Sequence, residues 1–375
     1  MEPRRLTVVQ VLPALNAGGV ERSTLEIGSA LTLAGHRSIV VSAGGRLVEK
    51  LQGDWSEHIA LDIGRKSLST LRHVWTLRRL FSQWQPDIVH ARSRLPAWLA
   101  RFALAALPEP RPHFVTTVHG LYSPGTYSSI MMRGERVICV SNSVRDHVLR
   151  HYRYVDPARL TVIPRGIEPA EFRYGYRPRE AWTEVFFGEF PALRGGILLT
   201  LPGRGTRLKG HGDAIELLAG LRARGFDCRL LLLGAREVGR EAYVRELEAL
   251  AAQRGVGAHV AISAPRSDVR EVYAVSALIL QLSRKPEAFG RTVLEAISLC
   301  RPVLGYAHGG VGELLAELYP EGRSPPGDLT RLIERAAELL RVAPPIAPLQ
   351  RYHLADMQAA TLALYGEVAG ISKQV

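Results

Sequence analysis

Two carboxylates, Glu287 and Glu295, flank an Ala-Phe-Gly turn in the segment PEAFGRTVLEA, residues 286–296. The apolar run ALILQLS (277–283) reads as a strand and RTVLEAISLC as a helix, so Glu287 falls in the loop between them. Glu295 then lies about a turn and a half inside the helix. The N–H groups of Ala288, Phe289 and Gly290, close to the helix start, suit phosphate or sugar oxygens. A glutamate near a helix start is also favoured by the macrodipole with no ligand at all. Glu295, between Leu294 and Ala296 and expected to face a cleft, needs a polar partner, and ribose hydroxyls would serve.

Other candidates also follow strand-like runs. LPGRGTRLKGH (201–211) sets Arg204 and Lys209 on a glycine-rich loop, two cations that suit a pyrophosphate. It lacks the GxxxxGK[ST] order of a P-loop, and a merely solvated loop is the competing reading. In NAGGVERS (16–23), Gly18 and Gly19 allow backbone N–H groups to approach an anion, or simply make a tight turn. His119, in TTVHGLYS, ends another strand. A lone histidine is more often structural, but a strand end opposite the Glu287 loop is a place for chemistry. His90 and Arg92, in VHARSR, share that edge. No DxD triplet occurs, and no Ser–His–Asp or Cys–His order is evident. The three cysteines, Cys139, Cys228 and Cys300, form no CxxC, so no metal ligands are expected.

These residues need a scaffold that gathers strand ends. LTVVQVL, HRSIVVSA, PDIVHA, HFVTTVHG, RVICVS and LTVIPRG form one series of strand candidates alternating with helix-like stretches. A second series restarts at GGILLTLPGR and runs through DCRLLLLGA, HVAISA, ALILQLS and PVLGYA, with helices expected at 211–225, 240–254, 268–275, 291–300 and 311–318. Near-continuous apolar strands of this kind indicate parallel sheets covered on both faces. Residues 167–192, rich in proline, aromatics and charge, read as a linker. The expectation is an α/β protein of two doubly wound domains facing a cleft. Residues 1–171 make the first and 172–347 the second, with a terminal helix in 348–375 packing back on the first.

Of 375 residues, 46% are hydrophobic and 22% charged, as in a soluble globular protein with sizeable cores. Lys and Arg number 48 against 36 Asp and Glu, a net +12 that attracts phosphates, nucleic acid or an anionic membrane. The basic, apolar start MEPRRLTVVQVLPAL leads into a Gly-Gly turn and reads as a first strand rather than a signal peptide. No run of about 18 apolar residues is present to span a bilayer. A cytoplasmic home is expected. GRKSLSTLRHVWTLRRLFSQW (64–84) combines Leu68, Leu71, Trp75, Leu77 and Phe81 with five cations, which suggests peripheral attachment to an anionic membrane.

Across nearly the whole chain, NAGGVE, PDIVHARSR, TTVHG, VSNSVRDHV, VIPRGIE, PGRGTRLKGH, EAFGRTVLEA and RPVLGYAHGGVGEL resemble the retaining, metal-independent glycosyltransferases of family 4, with the GT-B fold. HARSR…PAW and YSSIMMRGERVICVS resemble the bacterial branch that builds lipopolysaccharide core or other envelope glycans. The resemblance implies that Arg204 and Lys209 neutralise a nucleotide diphosphate and that Glu295 binds the ribose. It implies that Glu287 and the backbone of Ala288, Phe289 and Gly290 hold the donor sugar. Gly18 and Gly19 would lie near the diphosphate or acceptor, and His119 beside the reacting sugar. Neither cofactor nor metal is implied, only a nucleotide-sugar donor and an anionic glycan or glycolipid acceptor. HVAISAPRSDV replaces the family's usual glycine-containing loop, where base contacts are expected.

Two alternatives stay open: a GT-B-type nucleotide-sugar epimerase, and a basic protein binding a membrane surface or nucleic acid. Nucleic acid is disfavoured by 7% aromatics and no interleaved aromatic–basic track. A Rossmann dehydrogenase is disfavoured because no GxGxxG follows the first strand.

Overall fold

The computed structural model describes residues 4–16 and 18–371. Ala17 of the first glycine pair's loop, the start of the first segment and the last four positions of the 348–375 segment lie outside the described residues. The chain divides into two compact units: the described residues of Met1–Gly166 with Leu354–Val375, and Ile167–His353.

The first unit carries a seven-stranded sheet. Its strands are β1 (Thr7–Val11), β2 (Arg37–Ser42), β3 (Glu57–Ala60), β4 (Ile88–Ala91), β5 (His113–Val118), β6 (Arg136–Cys139) and β7 (Leu160–Val162). The order is β3-β2-β1-β4-β5-β6-β7, and every pairing is parallel. The direction of winding reverses between β1 and β4, which opens a crevice beyond their C-terminal ends. Burial explains the strand composition: Val8, Val9, Val11, Ile88, Val89 and Val115 are all inaccessible to solvent. The Leu354–Val368 helix belongs to this unit. Its Met357, Leu364 and Tyr365 pack with Leu6, Val8, Ile27, Leu31 and Ile88 in one core.

The second unit repeats the plan with six strands. They are β8 (Ile197–Pro202), β9 (Cys228–Leu233), β10 (Val260–Ile262), β11 (Leu278–Gln281), β12 (Val303–Tyr306) and β13 (Arg323–Ser324). The order β10-β9-β8-β11-β12-β13 is again parallel, with the switch between β8 and β11.

The segment 167–192 is not a linker. It contains the Glu180–Glu189 helix and packs as part of the second unit. Its aromatics supply the reason. Trp182 stacks on Phe186 with centroids 5.0 Å apart, Phe186 is buried, and the Arg266 guanidinium lies 5.6 Å from the rings of both Phe186 and Phe190. Proline and charge gave the segment a loop-like composition while its aromatic side chains made a core.

Candidate active site

The second unit's switch point gathers three loops whose backbones touch. Gly210, at φ 77°, closes the loop after β8, and a Cβ there would lie 2.0 Å from the Leu282 carbonyl oxygen after β11. Gly310 N–H donates to the Glu287 carbonyl at 2.8 Å, and a Cβ on Gly309 would meet that same oxygen at 2.5 Å. Only glycine satisfies both the dihedral and the approach at Gly210. Chain ends far apart in sequence are thus pressed together at the strands' C-terminal edge.

Lys209 and Glu287 meet there. Lys209 Nζ lies 2.6 Å from Glu287 Oε1, and the two side chains are 29% and 25% exposed. The carboxylate has further holders: Ser283 Oγ donates to Oε1, and Gln281 Nε2 donates to Oε2 at 2.9 Å. Both holders are buried. Behind them His308 Nε2 donates to the Ser283 carbonyl at 2.8 Å. Buried Asp213 pins the loop's other side, pairing with Arg284 and accepting from the Tyr306 hydroxyl at 2.8 Å. Glu287 is therefore a fixed carboxylate with acceptor capacity still unused on Oε2.

Arg204 is exposed on the loop that carries Lys209 and forms no ion pair among the described residues. Ala288, Phe289 and Gly290 lead into the Arg291–Ser298 helix. Gly290 is the N-cap at φ 121°, and the Phe289 ring is buried, so this turn offers its backbone rather than a ring. Glu295 is the fifth helical residue and only 8% exposed. The buried Tyr273 hydroxyl is pushed well up, by burial first and then by the Glu295 charge. After β10, where base contacts were expected, Arg266 pairs with Asp268 at 2.8 Å and with Glu189 at 2.7 Å.

In the first unit Gly18 caps the Gly19–Leu33 helix at φ 138°. A Cβ on Gly18 would lie 2.7 Å from a Glu21 carboxylate oxygen, so an anion reaching this helix start meets a carboxylate nearby. His119 directly follows β5, and Arg165 Nη2 donates to its Nδ1. The His119 pKa is held well below its ordinary value, by burial first and then by Arg165, Arg92 and His90. His90 is tied down at both nitrogens, to the Tyr365 hydroxyl at 2.5 Å and Thr117 Oγ1 at 2.7 Å. The cavity beside Arg92, lined also by His90, Thr117 and Arg165, measures only about 10 Å³. That is room for about one water and excludes a sugar or phosphate.

Within the second unit the structure thus joins Lys209 to Glu287 directly and carries Arg204 on the same loop. Gln281, Ser283, Ser23 and Arg165 were not singled out from sequence. Gln281 had a signal, a polar residue inside the apolar run ALILQLS, and Arg165 another, an arginine three residues beyond the half-buried strand β7.

Two Rossmann-like α/β units with glycine-bearing loops at their switch points are the architecture found in GT-B glycosyltransferases. Residues 17–171 match the family model Glycosyltransferase Family 4, and residues 189–343 match Glycosyl transferases group 1. Between them the two models match most of the chain, which supports a GT-B glycosyltransferase of the family 4 type. A glycosyltransferase structure from Rickettsia africae is 26% identical, with a TM-score of 0.85 over 98% of this chain and 100% of that one. Anabaena HepE, solved with UDP and glucose, shares the fold at 17% identity and a TM-score of 0.78, over 97% of this chain and 100% of its own. D-inositol 3-phosphate glycosyltransferase of Jonesia denitrificans is 26% identical over 242 residues, 62% of this chain and 53% of that protein. The chain spans about half the length of such curated relatives. Among the described residues, no helix is long and apolar enough to cross a membrane.

Proposed function

We propose that this protein moves a sugar, with retention and without a metal, from a nucleoside diphosphate sugar to a glycan or glycolipid of the bacterial envelope, with lipopolysaccharide core as the first acceptor class to test. The Lys209–Glu287 pair at the second unit's switch point carries the reading, because a cation suited to a diphosphate lies beside a carboxylate suited to sugar hydroxyls. The UDP and glucose in the HepE structure agree with such a donor. In this reading the second unit binds the donor and the first the acceptor. Arg204 and Lys209 offset the charge that grows on the leaving diphosphate. Glu287, with the backbone of Ala288, Phe289 and Gly290, holds the sugar, and Glu295 holds the ribose. His119 faces the reacting sugar, and the Gly18–Gly19 turn lies near the diphosphate or acceptor. The departing phosphate takes the acceptor's proton on the same face, so no protein nucleophile is required. The protein works at the cytoplasmic face of the membrane.

The test is a thermal-shift panel of nucleotide sugars, followed by product analysis with the donor that binds. A ligand at 100 times its dissociation constant adds about 2.7 kcal/mol of apparent stability. Donor consumed with no acceptor would favour the epimerase. Activity lost in EDTA and restored by magnesium would overturn metal independence.

Membrane contact is supported by the basic segment around the His73–Trp84 helix. Leu77 and Phe81 are buried in the unit, so they do not belong to a docking face. Leu68, Leu71 and Trp75 are 86%, 50% and 68% exposed, among exposed Arg65, Lys66, Arg72, Arg78 and Arg79. Each such cation adds about 1 kcal/mol near an anionic surface. Co-sedimentation with anionic vesicles should weaken with salt, and absence of binding removes the idea.

A further inference from the structure

We propose that Arg165 is a positioning residue that fixes the tautomer of His119, so that this imidazole meets a sugar hydroxyl as a neutral Nε2–H donor and not as a base. The sugar contact rests on the glycosyl-transfer reading above; the tautomer does not.

The argument starts from what a guanidinium is able to do. Arginine has five N–H donors and no acceptor, and it stays protonated in proteins. Its Nη2 lies on His119 Nδ1, so that nitrogen must present its lone pair. A neutral imidazole accepting at Nδ1 carries its proton at Nε2. His119 Nε2 is buried and has no hydrogen-bond partner among the described residues, so this N–H is left for a ligand to satisfy.

Arg165 is itself held in place. Its Nη1 donates to Ser23 Oγ, which also accepts from Arg92 Nη1 at 2.9 Å. Arg92 Nε donates to Gln10 Oε1 at 2.7 Å, and Gln10 Nε2 donates to the Thr24 carbonyl at 3.1 Å. The chain therefore runs from β1, through the residue after β4 and the first turns of the Gly19–Leu33 helix, to the segment after β7 and the imidazole after β5. Gln10, Ser23, Arg92 and Arg165 are 0%, 0%, 1% and 8% exposed, so water does not compete for these bonds. Two buried guanidiniums beside the ring also oppose its double protonation. Nδ1 is occupied by a donor and Nε2 already bears a proton. Neither nitrogen is open to take the acceptor hydroxyl's proton, which must leave to another group.

The first measurement needs no substrate. Histidine-selective ¹⁵N labelling, with His119→Gln used only to assign the resonance, should show a pyridine-like Nδ1 and a pyrrole-like Nε2 at neutral pH. Arg165→Met should bring protonation at Nδ1, and Arg165→Lys should restore the original pattern, with the resonance of His58, bonded to Ser42 in the same unit, as the check on folding. A pyrrole-like Nδ1 in the unaltered protein overturns the proposal, and so does an unchanged tautomer in folded Arg165→Met. If Arg165→Met does not fold, the unaltered protein's spectrum still decides. The second measurement is transfer rate. Glutamine keeps an N–H near the Nε2 position, so His119→Gln should exceed His119→Ala by about tenfold, one hydrogen bond's worth. Equal losses overturn the donor role. Absence of transfer by the unaltered protein with every sugar nucleotide would instead strike the glycosyl-transfer reading, and the tautomer assignment would stand.

Discussion

The two units wind their sheets alike and fill their switch points in opposite ways. At the first, the buried side chains Gln10, Arg92, Ser23 and Arg165 are locked to one another and to the partly buried His119. At the second, glycine backbones bring the loops together, and the charges they carry, Lys209 and Glu287, remain about a quarter exposed. A buried network is costly to break and hard to rearrange. A partly exposed ion pair costs little to open, so it is free to exchange its partner for a ligand. The first arrangement sets geometry, and the second is built to respond.

The largest expected effects test that division directly. Arg92→Ala leaves Gln10 and Ser23 short of a buried donor and opens a cavity, which should cost about 3 kcal/mol of stability. Lys209→Ala should change stability by less than about 1 kcal/mol, because the pair is partly solvated. Its turnover should nevertheless fall roughly a hundredfold, the usual loss for one preorganised electrostatic contact. Because charge on a leaving diphosphate grows as the bond breaks, the loss should fall on kcat more than on KM. Denaturant melts and steady-state kinetics on both variants decide. A Lys209→Ala protein that melts early and turns over normally would reverse the comparison.

Acid should act on both units, through different histidines. In the second, burial holds His211 down to about 4, against backbone hydrogen bonds at Thr206 and Gly203 that raise it and the Lys209 charge that lowers it. In the first, His90 and His119 are lowered well below their ordinary value, burial being the main cause in each. The unfolded chain binds these protons near pH 6.5 and the folded chain does not. Stability is therefore full above about pH 6.5 and falls as pH drops toward 4, by up to about 3 kcal/mol for His211 alone. His211→Leu should flatten that limb for the second unit while the first unit keeps its own loss. Melts between pH 7 and 4.5 check it; an unaltered acid limb in His211→Leu would remove this histidine from the account.

The same contrast explains what the sequence made legible. Strand runs such as LTVVQVL and DCRLLLLGA stood out because buried parallel strands must be apolar on both faces, and β1 and β9 form there. The loops bearing Lys209 and Glu287 stood out because glycine and charge after a strand are local signals. The Gln10-to-His119 chain was not legible, since its members lie as much as 155 positions apart and only the register of five strands, β1, β4, β5, β6 and β7, brings them together. The Glu180–Glu189 helix was missed for another reason: proline and charge around it masked an aromatic face. The Lys209–Glu287 contact itself depended on Gly210 approaching Leu282, a backbone fact with no one-residue signature.

The smallest predicted effect is the most discriminating. In a double-mutant cycle of Lys209→Met and Glu287→Gln, the coupling in stability should be only about 0.5–1 kcal/mol and should shrink further as salt is raised. Three donors reach Glu287, from Lys209, Ser283 and Gln281, so removing the lysine leaves the carboxylate two neutral partners and a fixed position. Glu287→Gln should then impair use of the donor sugar while nucleoside diphosphate binding persists, because Lys209 is released from its partner and keeps its charge. Isothermal titration with the nucleoside diphosphate alone separates the two contributions: tighter or equal binding in Glu287→Gln is expected, and binding lost in parallel with turnover would mean that Glu287 serves the diphosphate site as well. A stability coupling of about 3 kcal/mol or more would place the pair with the buried network of the first unit, and the division between a locked edge and a responsive one would fail.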